Sequence, residues 1–127
     1  MNTALGGLVV ILLLIALPLG WQWLEFRRAR KARGRQAPEH GNVPRDGVVL
    51  LYFHSPRCLA CKDMTAFIRE WGERDERIRM VDIGVEPDLS RAFGVRVTPA
   101  VVVVRDGCIE EVLLGAQSVQ RLGALLG

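Results

Sequence analysis

The hydrophobic residues of this chain change rhythm several times. From Ala4 to Leu24 they run without a single charged side chain. As a helix those 21 residues are roughly 31 Å long at about 1.5 Å each, the thickness of a bilayer's hydrocarbon core. Pro18 and Gly20 weaken a soluble helix but are tolerated in a membrane one. Trp21 and Trp23 fall at the end of the run, where amphipathic rings settle at the lipid–water boundary. The stretch Gly34 to Gly47 holds two Pro and three Gly and little apolar matter, and reads as a flexible tether. Val48 to Phe53 is then a continuous apolar run, the pattern of a strand covered on both faces.

After Ser55-Pro56-Arg57 the period shifts to that of a helix. Cys61, Met64, Ile68 and Trp71 recur at three- and four-residue steps, predicting an amphipathic helix from about Cys58 to Glu73. Ile78 to Ile83 reads as a second strand. Glu86 to Phe93 reads as a short helix with Pro87 in its first turn and Gly94 after its end. Ala100 to Val104 is a third, central strand. Asp106-Gly107 signals a hairpin, with Cys108 to Leu114 as the partner strand. Ser118 to Leu126 is a terminal helix with Ser118 as N-cap. The order is β-α-β-α-β-β-α, an α/β fold with a mixed sheet. The two crossovers imply parallel strands, and the hairpin adds an antiparallel edge. The chain thus divides into an anchor helix (residues 1–25), a basic, flexible tether (26–46) and a globular domain (47–127).

Charge sharpens this division. Residues 1–40 hold six Lys/Arg against two acids, whereas residues 41–127 hold eleven against twelve. The positive excess is a juxtamembrane run (Arg27, Arg28, Arg30, Lys31, Arg33, Arg35) and not a basic domain face, so nucleic acid is excluded as a partner. A cleaved secretory signal carries its positive charge before the apolar core and a small-residue cleavage site after it. Here arginines follow the core and Met-Asn-Thr precedes it, which favours an uncleaved single-pass anchor. Lys and Arg gather on the cytoplasmic side of a span, so the globular domain is expected in the cytoplasm, with an extracytoplasmic (periplasmic) placement as the alternative. The same run is suited to anionic membrane lipid. The pattern sets no oligomeric state.

Chemistry concentrates at Cys58-Leu59-Ala60-Cys61. Cys58 follows a strand and opens a helix, where unpaired N–H groups and the helix dipole stabilise a thiolate. C-x-x-C thiols accordingly ionise at roughly 3.5 to 7.5 instead of about 8.5. Arg57 beside it acts in the same direction. Cys61 lies one turn on, in the apolar stripe, within reach of a mixed disulfide at Cys58. Cys58 is therefore the attacking and Cys61 the resolving thiol. His54, four residues before Cys58, is either a strand-end histidine touching solvent or a proton acceptor for the pair. Lys62 reads as a solvated helix residue. Structural zinc needs four ligands, and beyond this pair only Cys108, His40 and His54 are on offer, so no metal is expected. The strand from Ala100 to Val104 carries the chain about 17 Å away from Pro99 before the turn, so Cys108 falls at the far end from Cys58, as a loop thiol without a special role.

The stretches YFHSPRCLACKDM, VDI and FGVRVTPAVVVVRDG together resemble the thioredoxin superfamily. The resemblance covers residues 47–127 and implies its minimal form, without the usual first strand and helix. It implies a cis peptide at Thr98-Pro99 facing the cysteines, with the backbone before Pro99 pairing with an extended substrate. It implies a protein-disulfide oxidoreductase that uses a redox-active disulfide, no cofactor, and protein thiols or disulfides as partners. Two positions depart from the usual pattern: Tyr52 stands where a buried Asp is usual, and Arg57 where a Trp is usual. These departures leave a second reading open, an adaptor or assembly factor dedicated to one membrane or metalloprotein partner.

Overall fold

All six residues from Val48 to Phe53 are buried in β1 (Val48–His54). Only a strand with neighbours on both sides and layers on both faces achieves this. In the computed structural model, which describes residues 2–39 and 41–127, β1 lies inside a sheet of order β2-β1-β3-β4. The other strands are β2 (Ile78–Asp82), β3 (Ala100–Arg105) and β4 (Cys108–Leu114). The helices are α1 (Asn2–Ala32), α2 (Lys62–Gly72), α3 (Pro87–Ala92) and α4 (Val119–Leu126). Contacts divide the chain into two units, residues 1–31 and 32–127.

In the first unit, α1 carries the whole apolar run with Pro18 inside it, and is long and apolar enough to cross a membrane. The helix does not stop where the charges begin. Glu25 accepts from Arg28 at 2.9 Å, and the Arg27 guanidinium lies 4.5 Å from the centre of the Trp23 ring. Pairs three and four residues apart meet on one helix face and support this polar extension.

In the second unit the period-two alternation of β1 sorts the core. Val49, Leu51 and Phe53 point to one face with Val81, Leu89, Phe93, Val102 and Val104. Leu50 and Tyr52 point to the other, against Met64 and Ile68 of α2 and Leu122 and Leu126 of α4. β3 is antiparallel to β1 (Leu51 opposite Val102), whereas β2 is parallel to it (Leu51 opposite Arg79). The sheet is mixed as expected, but the expectation of a parallel β3 is overturned. α3 holds only six of the 17 residues between β2 and β3 and spans about 9 Å, and the chain does not return along β2 before β3 begins. β3 therefore starts at the end where β2 finished. Asp106 (φ 50°) and Gly107 (φ 79°) make the tight turn into β4. One extra residue follows: Val103 opposes Glu111 and Val104 opposes Ile109, leaving Glu110 bulged out. The bulge turns Ile109 onto the same face as Val112 and Leu114.

The stretch expected as a flexible tether is docked instead. Gly34 N–H donates to Ile109 O (2.7 Å), Ile109 N–H to Arg35 O (2.8 Å) and Ala37 N–H to Gly107 O (2.8 Å), and Gln36 bridges Cys108 as an antiparallel neighbour. Arg33 pairs with Glu111 at 2.5 Å. The chain then buries Ala37 and packs Val43 over the Leu89 face, and Arg79 donates to Gly41 O. A low-apolar segment orders here because β4 offers it unpaired backbone groups and its few apolar side chains find a core.

Candidate active site

β1 delivers His54 to one end of the sheet, and the chain turns at once. Cys58 N–H donates to Ser55 O (3.1 Å), and Arg57 N–H to Ser55 Oγ (3.3 Å). Cys58 keeps an extended backbone (φ −86°, ψ 106°) and caps a 3₁₀ turn over Leu59–Cys61; Cys61 N–H returns to Cys58 O at 3.2 Å. The α-helix proper begins at Lys62, so Cys58 opens a tighter turn leading into α2 and not α2 itself. Such 3₁₀ starts are common at helix N-termini, and the N–H groups there stay directed outward.

Cys58 and Cys61 form a disulfide with Cα atoms 5.3 Å apart. Cys61 is 1% exposed, while Cys58 is only half-buried. Cys58 is thus the more accessible half of the disulfide. Arg57 stands exposed beside it, and Leu59 projects fully into solvent.

The Thr98-Pro99 peptide is cis. Phe53 opposes Ala100 across β1 and β3, so Pro99 adjoins the end of the sheet from which the cysteine turn leaves. Pro99 is buried, Thr98 half-buried, and the Pro99 carbonyl accepts from Gly115 N–H at 2.9 Å.

Tyr52 is completely buried beneath this turn. Its hydroxyl donates to Cys61 O at 3.3 Å and lies 2.8 Å from Thr65 Oγ1. Burial pushes its pKa above the ordinary value, with the Thr65 hydrogen bond acting the other way. Tyr52 is thus a neutral phenol that ties β1 to the start of α2, not a base. It also stacks on His54, ring centres 5.3 Å apart. Burial lowers the His54 pKa; Asp82 opposes this shift and Arg69 adds to it. The imidazole is therefore uncharged at neutral pH.

Asp82 is the register partner of His54 across β1 and β2. Sequence reading missed it, although its place at the end of a strand parallel to β1 was a usable signal. It missed Thr65 as well, a lone hydroxyl on the inner side of α2 opposite a buried tyrosine. Arg69, two turns along α2, carried no signal. Cys108 is exposed and pairs with Arg105 at the opposite end of β3 from Ala100, away from the disulfide. Among the described residues no three His, Cys, Asp or Glu side chains converge as a metal set requires. His40, one of the weighed zinc ligands, lies outside the described residues.

Known proteins share this fold. The family model for Thioredoxin matches residues 40–126. A thioredoxin variant from Halobacterium salinarum superposes with a TM-score of 0.54 at 25% identity, covering 64% of this chain and 73% of its own. Fasciola hepatica thioredoxin gives 0.54 at 14% identity over 78% and 86% of the two chains. Oxidised mitochondrial thioredoxin 3 of Saccharomyces cerevisiae gives 0.51 at 20% identity over 63% and 77%. A dithiol–disulfide pair in this setting carries out thiol–disulfide exchange. Fold, cysteine turn, cis-proline and family match converge, and the chain belongs to the thioredoxin family.

Proposed function

We propose that this chain is a membrane-anchored protein-disulfide oxidoreductase. The single observation that carries the reading is the unequal exposure of Cys58 and Cys61 in a disulfide at the strand-to-helix turn. In the reductive direction the Cys58 thiolate attacks a partner disulfide R–S–S–R′. A Cys58–S–S–R bond forms and R′S⁻ leaves. Cys61 loses its proton and attacks Cys58 Sγ; RS⁻ leaves and the Cys58–Cys61 disulfide forms. Two electrons pass from the dithiol to the partner, and no organic cofactor or metal enters. Arg57 favours the Cys58 thiolate. Thr98 and Pro99 offer backbone to an extended substrate at the sheet end. Tyr52 holds the Cys61 carbonyl, and neutral His54 is placed to accept a proton.

Residues 1–25 serve as the anchor, with the apolar run of α1 as its membrane-crossing part, and the juxtamembrane arginines favour a cytoplasmic domain and contact with anionic lipid. In the cytoplasm, reduction is the expected direction. A phosphatase active only outside the cytoplasm, fused to the C-terminus, is expected to be silent; activity would place the domain on the other side.

Replacing Cys61 with Ser tests the exchange reading. With the resolving thiol gone, mixed disulfides at Cys58 accumulate and are seen as reductant-sensitive bands. Their absence under oxidising and reducing challenge alike would overturn it. Tyr52 and Arg57, at positions where Asp and Trp are usual, favour a narrow partner range. Many trapped proteins indicate a general reductase, and a single one an adaptor dedicated to one complex.

A further inference from the structure

An open cavity of about 390 Å³ runs from the Cys58–Cys61 disulfide along α2. Its floor is one helical stripe, Lys62, Thr65, Ala66 and Arg69, and its wall is formed by His54 and Asp82. Lys62 and Arg69 are separated by seven residues, about 10 Å along the axis. Helical side chains lean toward the N-terminus, so Arg69 leans back toward the sulfurs. Neither Lys62 nor Arg69 has an ion-pair partner among the described residues. The lining therefore holds two cations, one carboxylate and a neutral imidazole, a net positive balance next to a reactive disulfide. Asp82 is partly occupied: its Oδ1 accepts from Gly84 N–H at 2.8 Å. Both Asp82 and Arg69 lie near enough to His54 to influence its titration in opposite senses. The volume falls within the range of small-molecule sites, about 300–1,000 Å³.

We infer that this cavity is a docking site for a small carboxylate-bearing thiol, which is the reductant of the disulfide. The inference rests on the exchange function proposed above. A carboxylate on the Arg69 guanidinium, whose planar fork suits it, leaves the sulfur of a thiol of peptide size at the other end of the cavity, against the disulfide. The thiolate RS⁻ attacks Cys58 Sγ, forming Cys58–S–S–R and expelling Cys61 as thiolate. A second RSH, as its thiolate, attacks the mixed disulfide, giving RSSR and the Cys58 thiolate. Two thiols are oxidised to one disulfide. Their two protons go to Cys61 and to Cys58 or water.

The test uses the oxidised full-length chain in a non-ionic detergent. Reduction is followed by maleimide gel shift with glutathione, 2-mercaptoethanol or cysteamine, each at the same thiolate concentration. Glutathione is expected to react about threefold to fivefold faster than 2-mercaptoethanol, and cysteamine slowest. Salt shrinks the spread. Arg69→Gln lowers the glutathione-to-mercaptoethanol ratio toward one. Asp82→Asn, which keeps an oxygen for Gly84, raises it. A ratio that Arg69→Gln does not lower overturns the proposal, whatever Asp82→Asn does. Dithiothreitol separates the two readings. If it reduces the disulfide while the ratio stays at one, only the cavity assignment falls. If dithiothreitol also fails, the exchange function falls and the cavity assignment falls with it.

Discussion

Cys58→Ser is expected to reduce insulin-disulfide reduction by the full-length chain to the uncatalysed background, a loss of roughly three orders of magnitude or more. The thiolate is the nucleophile, and a serine hydroxyl does not ionise near neutral pH even at a helix start. Cys61 is a poor substitute, since it is only 1% exposed. The matching control is Cys108→Ser. Cys108 pairs with Arg105, five strand steps or about 17 Å from Ala100 at the active end, so its removal leaves turnover intact. Turnover by Cys58→Ser within a few-fold of wild type would mean that some other group carries the activity.

The second large effect is on stability. Phe53→Ala should cost about 3–5 kcal/mol. Phe53 has no exposed surface, and its ring centre lies 6.1 Å from that of Phe93, tilted by 52°. The residue belongs to the central strand, with β2 on one side and β3 on the other, so neighbours cannot collapse into the void without breaking register. A domain of this size is stable by about 5–15 kcal/mol in total. The variant therefore stands near the threshold of folding at physiological temperature. Urea unfolding followed by near-UV circular dichroism measures the shift in midpoint. A loss below about 1 kcal/mol would show that the core face is not packed as described.

Much of this fold was legible because its signals are local. The alternation in Val48–Phe53 assigns side chains to both core faces, and Asp106-Gly107 supplies the two positive-φ positions of the hairpin. Ser118 caps α4 by accepting from Arg121 N–H at 3.2 Å, as its residue type and place imply. The cysteine spacing located the site, and the family resemblance supplied the cis-proline. What was not legible depends on distant partners. The direction of β3 shows only in its pairing with β1, Leu51 opposite Val102. The order of residues 33–39 follows from unpaired edge groups on β4, which composition does not encode. The bulge at Glu110 emerges only from the register of β3 against β4. Thr65, Asp82 and Arg69 gain meaning only when α2 and β2 are laid beside His54.

The docked stretch before β1 has a practical side for anyone producing the catalytic part alone. A fragment beginning at Gly47 would discard Arg33, Gly34, Arg35 and Ala37, and with them the hydrogen bonds at Ile109 and Gly107 and the cover over the Leu89 face. The freed border of β4 would then be a template on which a second molecule could stack. A truncation starting at Arg33 keeps that border closed and yields the better-behaved preparation.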